Sequence, residues 1–258
     1  KDLVECLIDG LSSHTNLYIV ESWTSLLTEC IPLFGDFIIQ VLLPLVECLC
    51  SQVLKSFDLI KLSYDGGNES ISLSVLFCYI KAIEKLLSSA HKHISLEENK
   101  SSTNKTTAEP GFFGVVMSGV FTVESPMARS NTVNNRLTVL LCFQDVIHVC
   151  YDIWTWVEEN NKQVKSIDSR PYHSSRLKFW TRKIMESLYT METLETLETF
   201  IEIGNSSPHI FKILHGLDGS KPKSTIPYLI NSIVSRVNPS SIDQKDRSTL
   251  TANLSEVD

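Results

Sequence analysis

Apolar positions recur every three or four residues along most of the chain, the period of amphipathic helices rather than of strands. A helix is predicted from about Asn16, with Leu17, Val20, Trp23 or Thr24, Leu27 and Ile31 on one face and Pro32 and Gly35 at its end. Asp36 is placed to cap the next stretch, Phe37 to about Leu62, which Pro44 should kink or split. After the turn signal at Tyr64–Asn68 another helix puts Leu73, Leu76, Phe77, Ile80, Ile83 and Leu87 inward and fades after His93.

Residues 97–110 are polar and of low complexity, which predicts a loop. Helical order is expected again from about Asn135, with Leu137, Leu140, Leu141, Ile147, Tyr151 and Trp154 as a buried stripe. Ser174 or Ser175 can cap a helix facing inward through Leu177, Trp180, Ile184 and Leu188. Ser207-Pro208 opens and Gly216 closes a short helix, and another runs from Pro227 to before Pro239.

Long helices in series predict an all-α fold of stacked helical hairpins, of the HEAT or armadillo solenoid type, with one long polar loop. The expected division is helical repeats over 1–95, a loop or insert over 96–134, helical repeats over 135–240 and a polar tail over 241–258. Lys1 stands inside an apolar pattern (Leu3, Val4, Leu7, Ile8, Leu11) with no initiator Met, so the chain is expected to be a piece of a longer protein.

Composition narrows the function. At 258 residues the chain can bury a substantial core, and a net charge of −7 disfavours nucleic acid as a partner. No run of consecutive apolar residues is long enough to span a bilayer; the best, Phe37–Cys50, is broken by Gln40, Pro44 and Glu47. Seven Cys without a CxxC pair read as free thiols, and Cys48 and Cys50 point to different sides of one helix, so no metal site is expected.

Catalytic motifs are missing: there is no GxSxG, P-loop, HExxH or CxxCH. His91 and His93 lie two apart and cannot face one ion while helical. Glu192, Glu195, Glu198 and Glu202 line one helix side and read as a solvated acidic face. The chain is therefore read as a non-enzyme without a cofactor.

Two features stand out as binding candidates. Between Asn160 and Met185 seven basic residues (Lys162, Lys165, Arg170, Arg176, Lys178, Arg182, Lys183) face one acid, Asp168, with Tyr172, Phe179 and Trp180 interleaved. That local reversal of sign suits an anionic lipid or an acidic partner, with a solvated helix start as the alternative. The second is Gly111–Phe121, whose Phe112, Phe113, Val116 and Phe121 read as an apolar plug across neighbouring helices or as a partner- or bilayer-facing segment.

At these same residues the sequence resembles the Dopey family of very large Golgi and endosome scaffolds. The resemblance is carried by Gly111–Phe121, Leu140–Asp145, Leu194–Glu198, Leu217–Lys223, Arg236–Pro239, Trp23 and Leu42–Glu47, and it covers roughly 15–240. It implies a peripheral protein on the cytosolic face of trans-Golgi and endosome membranes, acting in retrograde traffic. Implied partners are a large Arf-exchange-factor-like scaffold and a phospholipid-flipping ATPase, together with phosphatidylinositol 4-phosphate and kinesin. It supplies no catalytic residues.

Overall fold

The computed structural model describes residues 2–12, 16–63, 69–103, 126–161, 170–204, 212–214, 217 and 230. Seven helices make up nearly all of them: α1 (Asp2–Ser12), α2 (Leu17–Phe34), α3 (Ile38–Ser63), α4 (Glu69–Thr103), α5 (Pro126–Asn161), α6 (Arg170–Met191) and α7 (Thr193–Gly204). The all-α expectation holds, and among the described residues there is no strand.

Local chemistry explains the boundaries. The Asn16 side chain accepts from the Tyr18 amide at 3.0 Å and so satisfies a free donor of the first turn of α2. Gly35 ends α2 with φ +49, a conformation that costs a residue with a Cβ, and leads into a 3-10 turn over Gly35–Phe37. Asp36 sits inside that turn, and its carboxylate lies 3.2 Å from His93 Nε2.

α3 continues through Pro44, so the expected split does not occur. Pro44 removes one amide from the ladder, but the carbonyl it leaves belongs to exposed Gln40, where water can replace the lost bond. α4 runs past His93 to Thr103, and α5 starts at Pro126, so both ends of the expected 96–134 insert are helical. α6 starts at Arg170, which puts Ser174 and Ser175 inside the helix instead of at its cap. The expected helix starting at Pro227 and the polar tail lie outside the described residues, apart from Ile230.

The helices form three hairpins, α1/α2, α3/α4 and α5/α6, laid side by side. α1, α3 and α5 make one layer and α2, α4 and α6 the other, while α7 packs across α5 and α6. Between the first two hairpins, the Tyr79 hydroxyl donates to the Leu11 carbonyl at 3.0 Å. Phe57 of α3 meets Trp156 of α5 edge-on, and Phe77 of α4 meets Trp180 of α6 with ring centroids 5.7 Å apart.

One continuous core runs between the layers. All six inward residues expected on α4 are buried, as are Leu177, Ile184 and Leu188 of α6. On α5 the expected stripe is corrected: Leu137 and Leu141 are exposed, and Cys142, Phe143, Val146 and Cys150 are buried instead. α5 is apolar on more than one side, so periodicity alone does not select its inner face. Residues 17–62 and 134–160 are long and apolar enough to cross a membrane by length and composition, contrary to the reading from consecutive apolar runs. About half of each is buried within the stack, as core helices are.

Candidate functional site

The basic stretch divides over α6. Lys162 and Lys165 lie outside the described residues, as does the side chain of Arg170. Arg176 stacks on Phe77 at 4.9 Å, and Lys183 lies at the same distance from the centre of the Trp180 ring. Lys81 of α4 also approaches Trp180 at 4.9 Å, so this aromatic gathers cations from two helices. Trp180 is half-buried and Phe179 exposed.

Lys178 and Arg182, one helical turn apart, line a cavity of about 240 Å³ with Trp154, Glu158, Met185, Lys212 and Ile213. Lys178 forms an ion pair with Glu158, and Lys212 approaches the other oxygen of that carboxylate at 3.6 Å. Burial pushes the Glu158 carboxyl up, but the hydrogen bond and charge of Lys178, with help from Lys212, hold it below its ordinary range. The cavity lining therefore holds three cations and one carboxylate. Lys212 was not legible in the sequence as part of this group, because its short helix is 34 residues beyond Lys178 in the chain.

The acidic face expected on α7 is corrected at its start. Glu192, at the α6–α7 junction, is buried; one oxygen lies 3.1 Å from His91 Nε2 and the other accepts from Arg136 at 2.8 Å. Arg136 also lies 3.7 Å from Glu195. Three parts of the chain meet there, from α4, α5 and the α6–α7 junction. Burial pushes Glu192 up, yet His91 and Arg136 outweigh it and the carboxyl is held below its ordinary range. Glu195 is raised, by burial first and by the neighbouring Glu192 charge as well. Only Glu202 of the four acids is fully exposed.

His91 and His93 do diverge: His93 Nε2 lies 3.2 Å from Asp36, and its Nδ1 lies 3.9 Å from Glu97. One donor atom from each of Asp36, His93 and Glu97 falls within 4.8 Å of the others, a mixed imidazole and carboxylate set. The sequence did not point to it, because Asp36 and His93 are 57 residues apart. All seven Cys are free thiols. Burial pushes Cys50 and Cys142 up to about 12 and raises Cys150 as well, so these three are unreactive at neutral pH. Phe112, Phe113, Val116 and Phe121 of the apolar segment lie outside the described residues.

Among known proteins, the chain is 36% identical over 269 residues to the protein dop1 of Emericella nidulans, and that match takes in 99% of the chain. The chain belongs to the Dopey family. A second Dopey relative, the protein DOP1 of Saccharomyces cerevisiae, is 29% identical over 238 residues, or 91% of the chain. This Dopey segment spans 14% of the length of each of these relatives. No family model matches it, and no solved structure does.

Proposed function

We propose that this Dopey segment is a non-catalytic scaffold of the HEAT/armadillo solenoid type, acting through protein contacts in retrograde Golgi–endosome traffic. One observation carries the scaffold reading: the three hairpins stack in two layers, an arrangement that buries one face of each helix and displays the others as extended surfaces. Family membership supports the cellular setting, at the cytosolic face of Golgi and endosome membranes. The partners it suggests are the Arf-exchange-factor-like scaffold, the phospholipid-flipping ATPase and kinesin. Affinity purification of the full-length protein with and without residues 2–204 tests this. Loss of one of these partners supports the reading, and an unchanged set of partners counts against it.

A second reading, recruitment by anionic lipid such as phosphatidylinositol 4-phosphate, draws on the cavity between α5 and α6. Lys178, Arg182 and Lys212 line it together with Glu158. Each cation near an anionic leaflet contributes roughly 1 kcal/mol. The suitable variant is Arg182→Gln with Lys212→Gln, since a Glu at either Lys178 or Lys212 would set a second carboxylate against Glu158. If that variant floats with anionic liposomes as well as the parent, the cavity is not a lipid site.

A further inference from the structure

The exposed face of α2 carries a row of apolar side chains. Ile19, Leu26 and Leu33 follow one another at seven-residue spacing and are 38%, 41% and 78% exposed. Phe37, in the 3-10 turn past the end of α2, is 65% exposed as well. Seven-residue spacing keeps side chains on one line of a helix, the seam along which a second helix packs knobs into holes.

α1, α2 and the turn after it carry acidic residues and no Lys or Arg, while on α4 His93 lies 3.2 Å from Asp36 and Lys81 acts on the same Cys78 thiol as Glu21. From Asp2 to Leu54 the sequence holds seven acidic residues and no Lys or Arg, so nearly the whole net charge of the molecule sits here. Glu21, Glu29 and Asp36 are exposed on α2 and its turn, and Glu5 and Asp9 are exposed on α1.

We propose that this face is a docking site for one amphipathic helix of a partner protein, with an apolar heptad row flanked by Lys and Arg. Leu26, Leu33 and Phe37 supply the apolar contact, and the acidic rim selects a basic helix and speeds its encounter. A second copy of this face does not fit, because a two-fold contact would set acids against acids. An anionic bilayer is repelled for the same reason.

The probe is a fluorescent helical peptide of about 21 residues with Leu at the heptad seam and Lys beside it, and its twin carries Glu in place of Lys. Anisotropy should show the Lys peptide binding at least about tenfold more tightly than the Glu peptide. Raising salt from about 50 to 300 mM should weaken it several-fold. Leu26→Glu with Leu33→Glu should cost at least about tenfold in affinity while leaving the helical circular dichroism intact, since both residues are exposed. Equal binding of the two peptides, or undiminished binding by the variant, overturns the proposal. So does binding to this segment but not to the full-length protein, which would mean that the rest of the polypeptide covers the face. A dimeric mass by light scattering that Leu33→Glu abolishes would overturn it in favour of self-association.

Discussion

The hydroxyl of Tyr79 donates to the carbonyl of Leu11 across 68 residues of sequence, at 3.0 Å. Leu11 lies in the last turn of α1, where helix carbonyls have no partner within their own helix. The phenol therefore caps α1 and pins it to the second hairpin.

Tyr79→Phe should destabilise the fold by about 1–2 kcal/mol, since it leaves a buried carbonyl unsatisfied and changes little else. Urea unfolding measures this, with Tyr18→Phe, on an exposed ring, as the control that should not move the midpoint.

Glu192→Gln should cost about 2 kcal/mol at pH 7, because it removes a charge held by His91 and Arg136. The parent's advantage depends on pH. Because the folded state holds Glu192 below its ordinary value of 4.5, its stabilisation is complete above that value and is lost as pH falls through the depressed one. Glu195, raised in the fold, works in the opposite sense: stability falls as pH rises through its raised value. The difference between parent and Glu192→Gln should therefore shrink on acidification. Thermal melts from neutral pH downward measure it, and a constant difference would refute the pairing.

Gly10→Ala normally favours a helix, yet here it should destabilise by about 1–3 kcal/mol. A Cβ at Gly10 would come within 2.3 Å of the Trp23 ring, where α1 and α2 touch. Gly35→Ala meets no neighbour and should lose about 1–3 kcal/mol from backbone strain alone, since φ +49 with ψ −125 lies outside the left-handed helical region open to other residues. Comparing the two melting curves separates crowding from backbone strain.

Cys6 is exposed, whereas Cys50, Cys142 and Cys150 are buried with raised pKa values. A neutral alkylating reagent at pH 8 should label Cys6 in the native protein and reach the other three only after unfolding. Mass spectrometry of the labelled peptides checks this, and native labelling of Cys142 or Cys150 would contradict the packing.

What could be read from the sequence follows from how each residue obtains its environment. The inner face of α4 was legible because Leu73, Leu76, Phe77, Ile80, Ile83 and Leu87 stand on one side and polar residues on the other. α5 was misread because Leu140, Leu141, Cys142 and Phe143 are consecutive and apolar, so its orientation depends on which neighbours arrive. Glu192 was misplaced for a similar reason: its partners His91 and Arg136 are 101 and 56 residues away. A carboxylate on a helix reads as solvated until the groups that bury it are known. Likewise the basic stretch was visible as charge, but Trp180 and Glu158, which divide it between two sides of α6, were not visible as its partners.

The side-by-side hairpins have a mechanical consequence. α1 and α2 lean on α3 and α4, which lean in turn on α5 and α6, so the packing is held mainly between neighbours. Under load such a stack should yield one hairpin at a time, because each hairpin is held mainly by its neighbours. A tether built this way can lengthen under load and shorten again without losing its whole structure at once.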